Sequence, residues 1–130
     1  MPSAIIGYTL SGTGVESAAA TSSLTYSGKS AVRVELTGVD SYTLDLAMMP
    51  AAGLKGLLVI VDPLDTAGSP ITAPVTVTWT SNAVSKSELI SAGSETPGFL
   101  ALGNPTPVTG ITTLSLASTA NAVVHVIALG

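Results

Sequence analysis

The stretch KGLLVIVD at residues 55–62 decides how this chain folds, because its five central residues, Leu57 to Val61, are apolar without a break. Successive side chains of a strand point to opposite faces of a sheet, so a strand with one face in water alternates apolar and polar residues. An unbroken apolar run therefore predicts a strand that is covered on both faces. The run AVVHVIAL at residues 122–129 has the same property apart from His125.

Residues 75–80, VTVTWT, show the clearest alternation, with Val75, Val77 and Trp79 on one face and threonines on the other. Valine, threonine and tryptophan all favour the pleated surface of a sheet. We therefore expect a half-buried strand with its apolar face in the core, and Trp79 packed in that core. Residues 31–36, AVRVEL, repeat the pattern.

Further strand patterns recur along the chain, separated by clusters of Gly, Pro, Ser and Asp that end strands. They lie at residues 4–10, 23–27, 42–46, 86–91, 98–102 and 111–117. Short strands with regular turns predict an all-β fold, an antiparallel β-sandwich or jelly-roll-like barrel of about eight to ten strands. The 130 residues fit a single domain, 1–130. Helix signals are weak, and we expect only a turn or two of helix at residues 15–20, VESAAA.

The composition excludes several classes of function. Charged residues make up 9% of the chain, against roughly 25% in an ordinary soluble domain. The net charge of -4 leaves no basic patch for phosphates, so we expect no nucleic-acid binding. The absence of Cys excludes disulfides and thiolate chemistry. The start lacks a signal-peptide pattern and no apolar run approaches ~20 residues, so we expect no membrane partner and synthesis without export.

The two doubly apolar strands need a cover on the face that lies outside a two-layer sandwich. A helix is nearly excluded, which leaves a loop at residues 63–74, containing Leu64 and Ile71, or a neighbouring subunit. We favour a homodimer or homotrimer, because low charge suits a protein packed in an assembly. The residues expected at its interface are Leu57, Val59, Val61, Val124 and Val126. A register slip of one residue would exchange the inward and outward sets.

Candidate catalytic and metal-binding residues are few. His125 is the sole histidine and lies inside an apolar strand, where a hydrogen-bonded structural or interface role is favoured over general-base catalysis. Asp62 and Asp65 in VDPLD lack the dense spacing of a calcium loop, so we interpret them as turn residues. Asp40 and Asp45 are expected in a turn and on a solvent face. We expect no enzyme activity, no cofactor and no metal site. This prediction would be wrong if four side chains met in one cleft: Asp45, Asp62, Asp65 and His125.

Residues 97–130, PGFLALGNPTPVTGITTLSLASTANAVVHVIALG, resemble small β-rich structural proteins of tailed bacteriophages. The likeness extends loosely back through YTLDLAMMPAAGLKGLLVIVD at residues 42–62. The shared features are a chain rich in Ser, Thr and Ala, a short apolar strand, an NPxP turn and two closing strands.

This resemblance implies a non-enzymatic virion protein, a capsid decoration or cement protein. Such a protein is made in the host cytoplasm, binds the major capsid protein on the outer capsid surface, stabilises the shell and associates with itself. The alternative is a tail-fibre or receptor-binding β-sandwich module. Residues 1–23 include a small, polar stretch, GTGVESAAATSS at residues 12–23, which we expect to form a partly extended N-terminal arm that orders on a neighbour.

Overall fold

The computed structural model describes residues 3–12, 15–25, 29–45, 56–81, 84–103 and 111–130. These residues form ten strands, and none of the described ranges forms a helix that is long and apolar enough to cross a membrane. In chain order the strands are β1 (Ser3–Gly12), β2 (Val15–Thr25), β3 (Lys29–Leu36), β4 (Asp40–Asp45), β5 (Gly56–Val61), β6 (Val75–Ser81), β7 (Val84–Ile90), β8 (Gly98–Gly103), β9 (Ile111–Ser118) and β10 (Ala122–Leu129).

Eight of these strands form two four-stranded antiparallel sheets that pack face to face. Sheet 1 has the strand order β3-β10-β5-β8, and sheet 2 has the order β4-β9-β6-β7. β1 and β2 form a separate two-stranded sheet, which we call the N-terminal hairpin. The predicted all-β antiparallel sandwich is therefore confirmed. The two doubly apolar strands are the central pair of sheet 1, with β10 between β3 and β5.

The core lies between the two sheets and is built from the alternating inward residues of each strand. Sheet 2 contributes Val75, Val77, Trp79, Leu114 and Leu116. Sheet 1 contributes Val34, Leu36, Leu57, Val59, Val61, Val124, Val126 and Ala128. Full burial of one such Val or Leu side chain stabilises the fold by roughly 1.5–3 kcal/mol. The prediction that Trp79 packs in the core is confirmed, since it is 7% exposed.

The residues predicted at a subunit interface lie in this core instead. They are Leu57, Val59, Val61, Val124 and Val126, each at most 1% exposed within one chain. Val124 lies opposite both Val34 and Val61, so the three share a face of sheet 1. Val34 must face inward, because Arg33 and Glu35 occupy the opposite face of β3. The choice of interface residues was therefore wrong. A partner of sheet 1 would contact the residues that alternate with them and face outward.

The prediction of a turn or two of helix at residues 15–20 is wrong, because this segment belongs to strand β2. Ala18, Ala19 and Ala20 lie opposite Leu10, Thr9 and Tyr8 of β1. Alanine has the highest intrinsic helix propensity, but that preference is a weak one that pairing with a neighbouring strand overrides. The predicted arm at residues 1–23 coincides with most of the hairpin, although residues 1–2 and 13–14 lie outside the described residues.

The loop between β5 and β6 is held by its own backbone. The Ile71 amide donates to the carbonyl of Pro63 at 3.1 Å, and the Gly68 amide donates to that of Asp65 at 3.0 Å. Gly68 has a φ of 79°, in the left-handed region that favours glycine. Ile71 packs against the core while Leu64 stays exposed. Ile71 and Leu64 therefore do not supply the cover for the outer face of β5 that the loop offered as the alternative to a neighbouring subunit.

Candidate interaction surface

The outer face of sheet 1 carries apolar residues in rows that cross the strands. In one row Phe99 lies opposite Ile60, and Ile60 lies opposite His125. In the next row Leu58 lies opposite Ile127. Leu58, Ile60 and Ile127 are half-buried, and Phe99 is 62% exposed. We call these four apolar residues the apolar stripe, which a single chain leaves only partly covered.

A hydrogen-bonded pair of polar side chains borders the apolar stripe. Nε2 of His125, in β10, lies 2.9 Å from Oδ2 of Asp62, which directly follows β5. The Asp62 amide donates to the carbonyl of Val123 at 2.9 Å, which fixes the aspartate beside β10. The two side chains are 39% and 38% exposed. The pair satisfies polar atoms within an apolar surface and confirms that His125 is hydrogen-bonded, as predicted.

The other acidic residues considered for catalysis have turn contacts of their own or belong to the other sheet. Oδ1 of Asp65 accepts the amides of Ala67 and Ser69, both at 2.9 Å, which confirms its turn role. Asp45 belongs to β4 in sheet 2, whereas His125 lies in sheet 1. Within the described ranges, no three His, Asp or Glu side chains converge on a position that could hold a metal ion.

The outer face of sheet 2 has the opposite chemistry. Thr43, Ser115, Thr78 and Ser87 lie in one row across all four strands. The hydroxyl oxygens of Thr78 and Ser87 are 2.7 Å apart, and those of Thr43 and Ser115 are 3.4 Å apart. We call this surface the hydroxyl face. The four residues of this row are uncharged, and their hydroxyl groups interact with one another.

An open groove of about 500 Å³ crosses one end of the hydroxyl face. Its lining includes Val39, Leu89, Ala117 and Asp40. Val39 is 87% exposed and Leu89 is 66% exposed, so the groove presents apolar side chains to solvent. The Asp40 carboxylate accepts the amide of Ser41 at 2.8 Å, which confirms the predicted turn role. The size is that of a small-ligand site, although the groove is open rather than enclosed.

Three of the four edge strands of the described sandwich carry charged residues, which disfavour pairing with a further strand. β3 carries an ion pair between Arg33 and Glu35, and β4 has an aspartate at each end. β7 carries Lys86 and Glu88, which point to the core side yet remain exposed. β8, with the sequence GFLALG, carries no charge. The apolar stripe therefore ends at an edge strand that has no charged residue.

These surfaces were only partly visible in the sequence. The threonines that alternate with Val75, Val77 and Trp79 indicate a hydroxyl surface on β6. The groove has no local signal, because it depends on which strands become neighbours. Comparison with models of protein families, with curated proteins and with solved structures found no match to this chain.

Proposed function

We propose that this chain is a non-enzymatic structural virion protein, a capsid decoration protein that binds the outer capsid surface. The observation that carries the proposal is the partly exposed apolar stripe of Leu58, Ile60, Phe99 and Ile127. The core is already complete without these residues, so an apolar surface of this kind supports a role in association. The phage setting rests on the resemblance of residues 97–130.

The low charge supports the same role. β5, β8 and β10, which carry the apolar stripe, contain no Asp, Glu, Lys or Arg. Burying such a surface against a capsid requires little desolvation of charge, which is the large cost of burying polar groups. A protein that binds only the assembled shell stabilises that shell by mass action, and the effect grows as its free concentration rises above Kd. Partners in this proposal are the major capsid protein and further copies of the chain.

The test is co-sedimentation of the purified protein with a panel of empty capsids from tailed bacteriophages. We expect saturable binding, and we expect Ile60→Thr to lower the occupancy several-fold because it places a hydroxyl in the apolar stripe. The matched control is Thr78→Ser, at the corresponding central position of the hydroxyl face. Absence of binding to every capsid, or equal loss with both variants, would contradict the proposal.

The groove favours a second candidate function, a tail-fibre or receptor-binding module. Exposed apolar side chains beside a carboxylate can contact a ligand that has both apolar and polar groups. In that case the protein should bind bacterial cells or their isolated surface glycans, and Val39→Ser should reduce that binding while Ile60→Thr does not. Capsid binding without cell binding would remove this candidate.

A further inference from the structure

Among the described edge strands of the sandwich, β8 is the one whose open side, the side away from β5, is best suited to a further strand. Within the described part of the chain β8 pairs with β5 alone, and β1 comes close to β8 without forming a ladder with it. An edge strand presents a row of backbone N–H and C=O groups that can pair with another strand. The other three edges carry charged residues, whereas β8 has none.

Both faces of β8 hold apolar side chains that a single chain covers incompletely. Leu100 and Leu102 lie opposite buried residues of β5, so they face inward, and they pack against the core while only half-buried. On the outer face Phe99 is 62% exposed and Ala101 is half-buried. A strand added at the open side of β8 would therefore cover apolar side chains on both faces at once.

The partner that fits this edge is a second copy of β8. The sequence GFLALG brings no charge to a contact with itself. Antiparallel pairing of β8 with its copy about a two-fold axis uses both open sides, so assembly stops at two chains. Pairing of β8 with β3 of another copy would leave an open side at each end, and the Arg33–Glu35 ion pair of β3 disfavours it.

The faces of β8 restrict the register of this contact. Residues directly opposite each other in an antiparallel pair share a face, so one residue must lie opposite its own copy at the axis. The two central choices in β8 are Leu100 and Ala101. An axis at Leu100 would place the second copy's Leu102 opposite Gly98, where the carbonyl of Ser91 already fills the position of a Cβ. The crowding at Gly98 favours an axis at Ala101.

We propose that two copies of this chain pair through β8 about a two-fold axis at Ala101, which joins their two copies of sheet 1 into one eight-stranded antiparallel sheet. On the inner face each Leu100 lies opposite the second copy's Leu102, and the four leucines connect the two cores. On the outer face each Phe99 lies opposite Gly103, which has no side chain and leaves room for the ring. The two apolar stripes become one surface that crosses the dimer.

This pairing deepens the self-association in the proposed function and rests on that part of it alone. It needs no capsid. A dimer that binds no capsid would contradict the decoration role and leave the pairing standing, and a monomer that binds capsids would do the reverse.

The test is the mass of the purified full chain without capsids, measured by light scattering over a dilution series that begins in the millimolar range. We expect two chain masses of 12.8 kDa at the highest concentrations. Ala101→Lys and Ala101→Glu should each give one chain mass, because like charges would stand opposite each other across the axis with their Cβ atoms about 5 Å apart. An equimolar mixture of the two variants should restore two chain masses, since opposite charges then meet.

The matched control is Ala31→Lys. Ala31 lies on the outer face in the same row as Ala101, through Ile127 and Leu58, but at the opposite edge of sheet 1. This substitution should leave the mass at two chains. The proposal would be overturned by a wild-type monomer at every concentration, by dimeric Ala101 variants, by equal dissociation in Ala31→Lys, or by a mixture that stays monomeric.

A second measurement, amide hydrogen exchange of the wild-type chain, needs no substitution. In a free edge strand the N–H groups that point away from the neighbouring strand are open to water, whereas a strand paired on both sides has every amide protected. We expect slow exchange throughout residues 99–103 in the dimer, and fast exchange at alternate amides after dilution to monomer. Alternate fast exchange in a sample of dimeric mass would place the contact elsewhere and overturn the proposal.

Discussion

The two outer faces of the sandwich differ, although the two inner faces are alike. Both sheets bury valine and leucine against a shared core. Outside, sheet 1 presents the apolar stripe and sheet 2 presents rows of paired hydroxyls. In the strands of the two sheets, therefore, the residues of one face form the core and the residues of the other face set the chemistry of the surface.

The two outer faces differ in how they contact solvent, although only 9% of the residues of the chain are charged. The hydroxyl face interacts with water without charge, which keeps one side of the molecule solvated. In the proposed function, the apolar stripe is the surface that contacts a partner. Three edge strands carry charged residues, which disfavour further strand pairing, and the fourth, β8, borders the stripe. The proposed association therefore uses this side of the sandwich.

The largest expected effect tests whether the inner faces are equivalent. Leu57→Ala in sheet 1 and Leu116→Ala in sheet 2 should each lower the free energy of unfolding by about 2–5 kcal/mol, because each removes a fully buried side chain. Denaturant titration measures both. A loss confined to Leu116→Ala would mean that Leu57 does not lie in the core, which would reverse the faces of sheet 1.

The next largest effect tests the close backbone approach at Gly98, the first residue of β8. A Cβ at Gly98 would meet the backbone carbonyl of Ser91 well inside contact distance, so Gly98→Ala must displace backbone. We expect a loss of roughly 1–3 kcal/mol in the free energy of unfolding. Gly93→Ala is the control, because its Cβ would lie 3.6 Å from Cβ of Thr96, an ordinary contact. Equal stability of the two variants would contradict the close approach.

A smaller effect separates the outer faces from each other. Ile60→Thr should lower the free energy of unfolding by about 1 kcal/mol, since a half-buried isoleucine loses part of its apolar burial. Thr78→Ser keeps the hydroxyl that pairs with Ser87 and should change stability by no more than ~0.5 kcal/mol. Thermal denaturation of the two variants at matched concentration makes the comparison. A larger loss at Thr78 would mean that the hydroxyl rows, rather than the stripe, support the sheets.

The smallest effect concerns the polar border of the stripe. Asp62→Asn should cost less than ~1 kcal/mol, because both partners of the His125 pair are just over a third exposed and solvent screens their interaction. A double-mutant cycle with His125→Gln isolates the pair from other effects of each substitution. A coupling of several kcal/mol would show that the pair is far less solvated than its exposure indicates.

Sequence patterns predicted the fold class and most strand positions because alternation is a local signal. Residues 75–80 matched β6 to within one residue, and Trp79 lies in the core as expected. The phase of β5 could not be predicted in the same way. Both of its faces are apolar, so only the pairing of Val61 with Val124, and of Val124 with Val34, decides which face is buried.

The hairpin and the surfaces were harder to predict, for a related reason. The alanine run of β2 has no β-branched residues to indicate a strand, and its partner lies in β1. The apolar stripe combines residues from β5, β8 and β10, which become neighbours through pairings between distant parts of the chain. The role of His125 was accessible, because a single polar residue inside an apolar strand needs a hydrogen-bonding partner.

The central position of β10 in sheet 1 has a consequence for folding. β3 and β5 do not pair with each other, and each pairs with β10, which follows both of them in the chain. Until β10 inserts, β3 and β5 have no hydrogen-bonding partner between them in sheet 1. Assembly of sheet 1 therefore depends on pairings between residues far apart in the sequence, which slow folding.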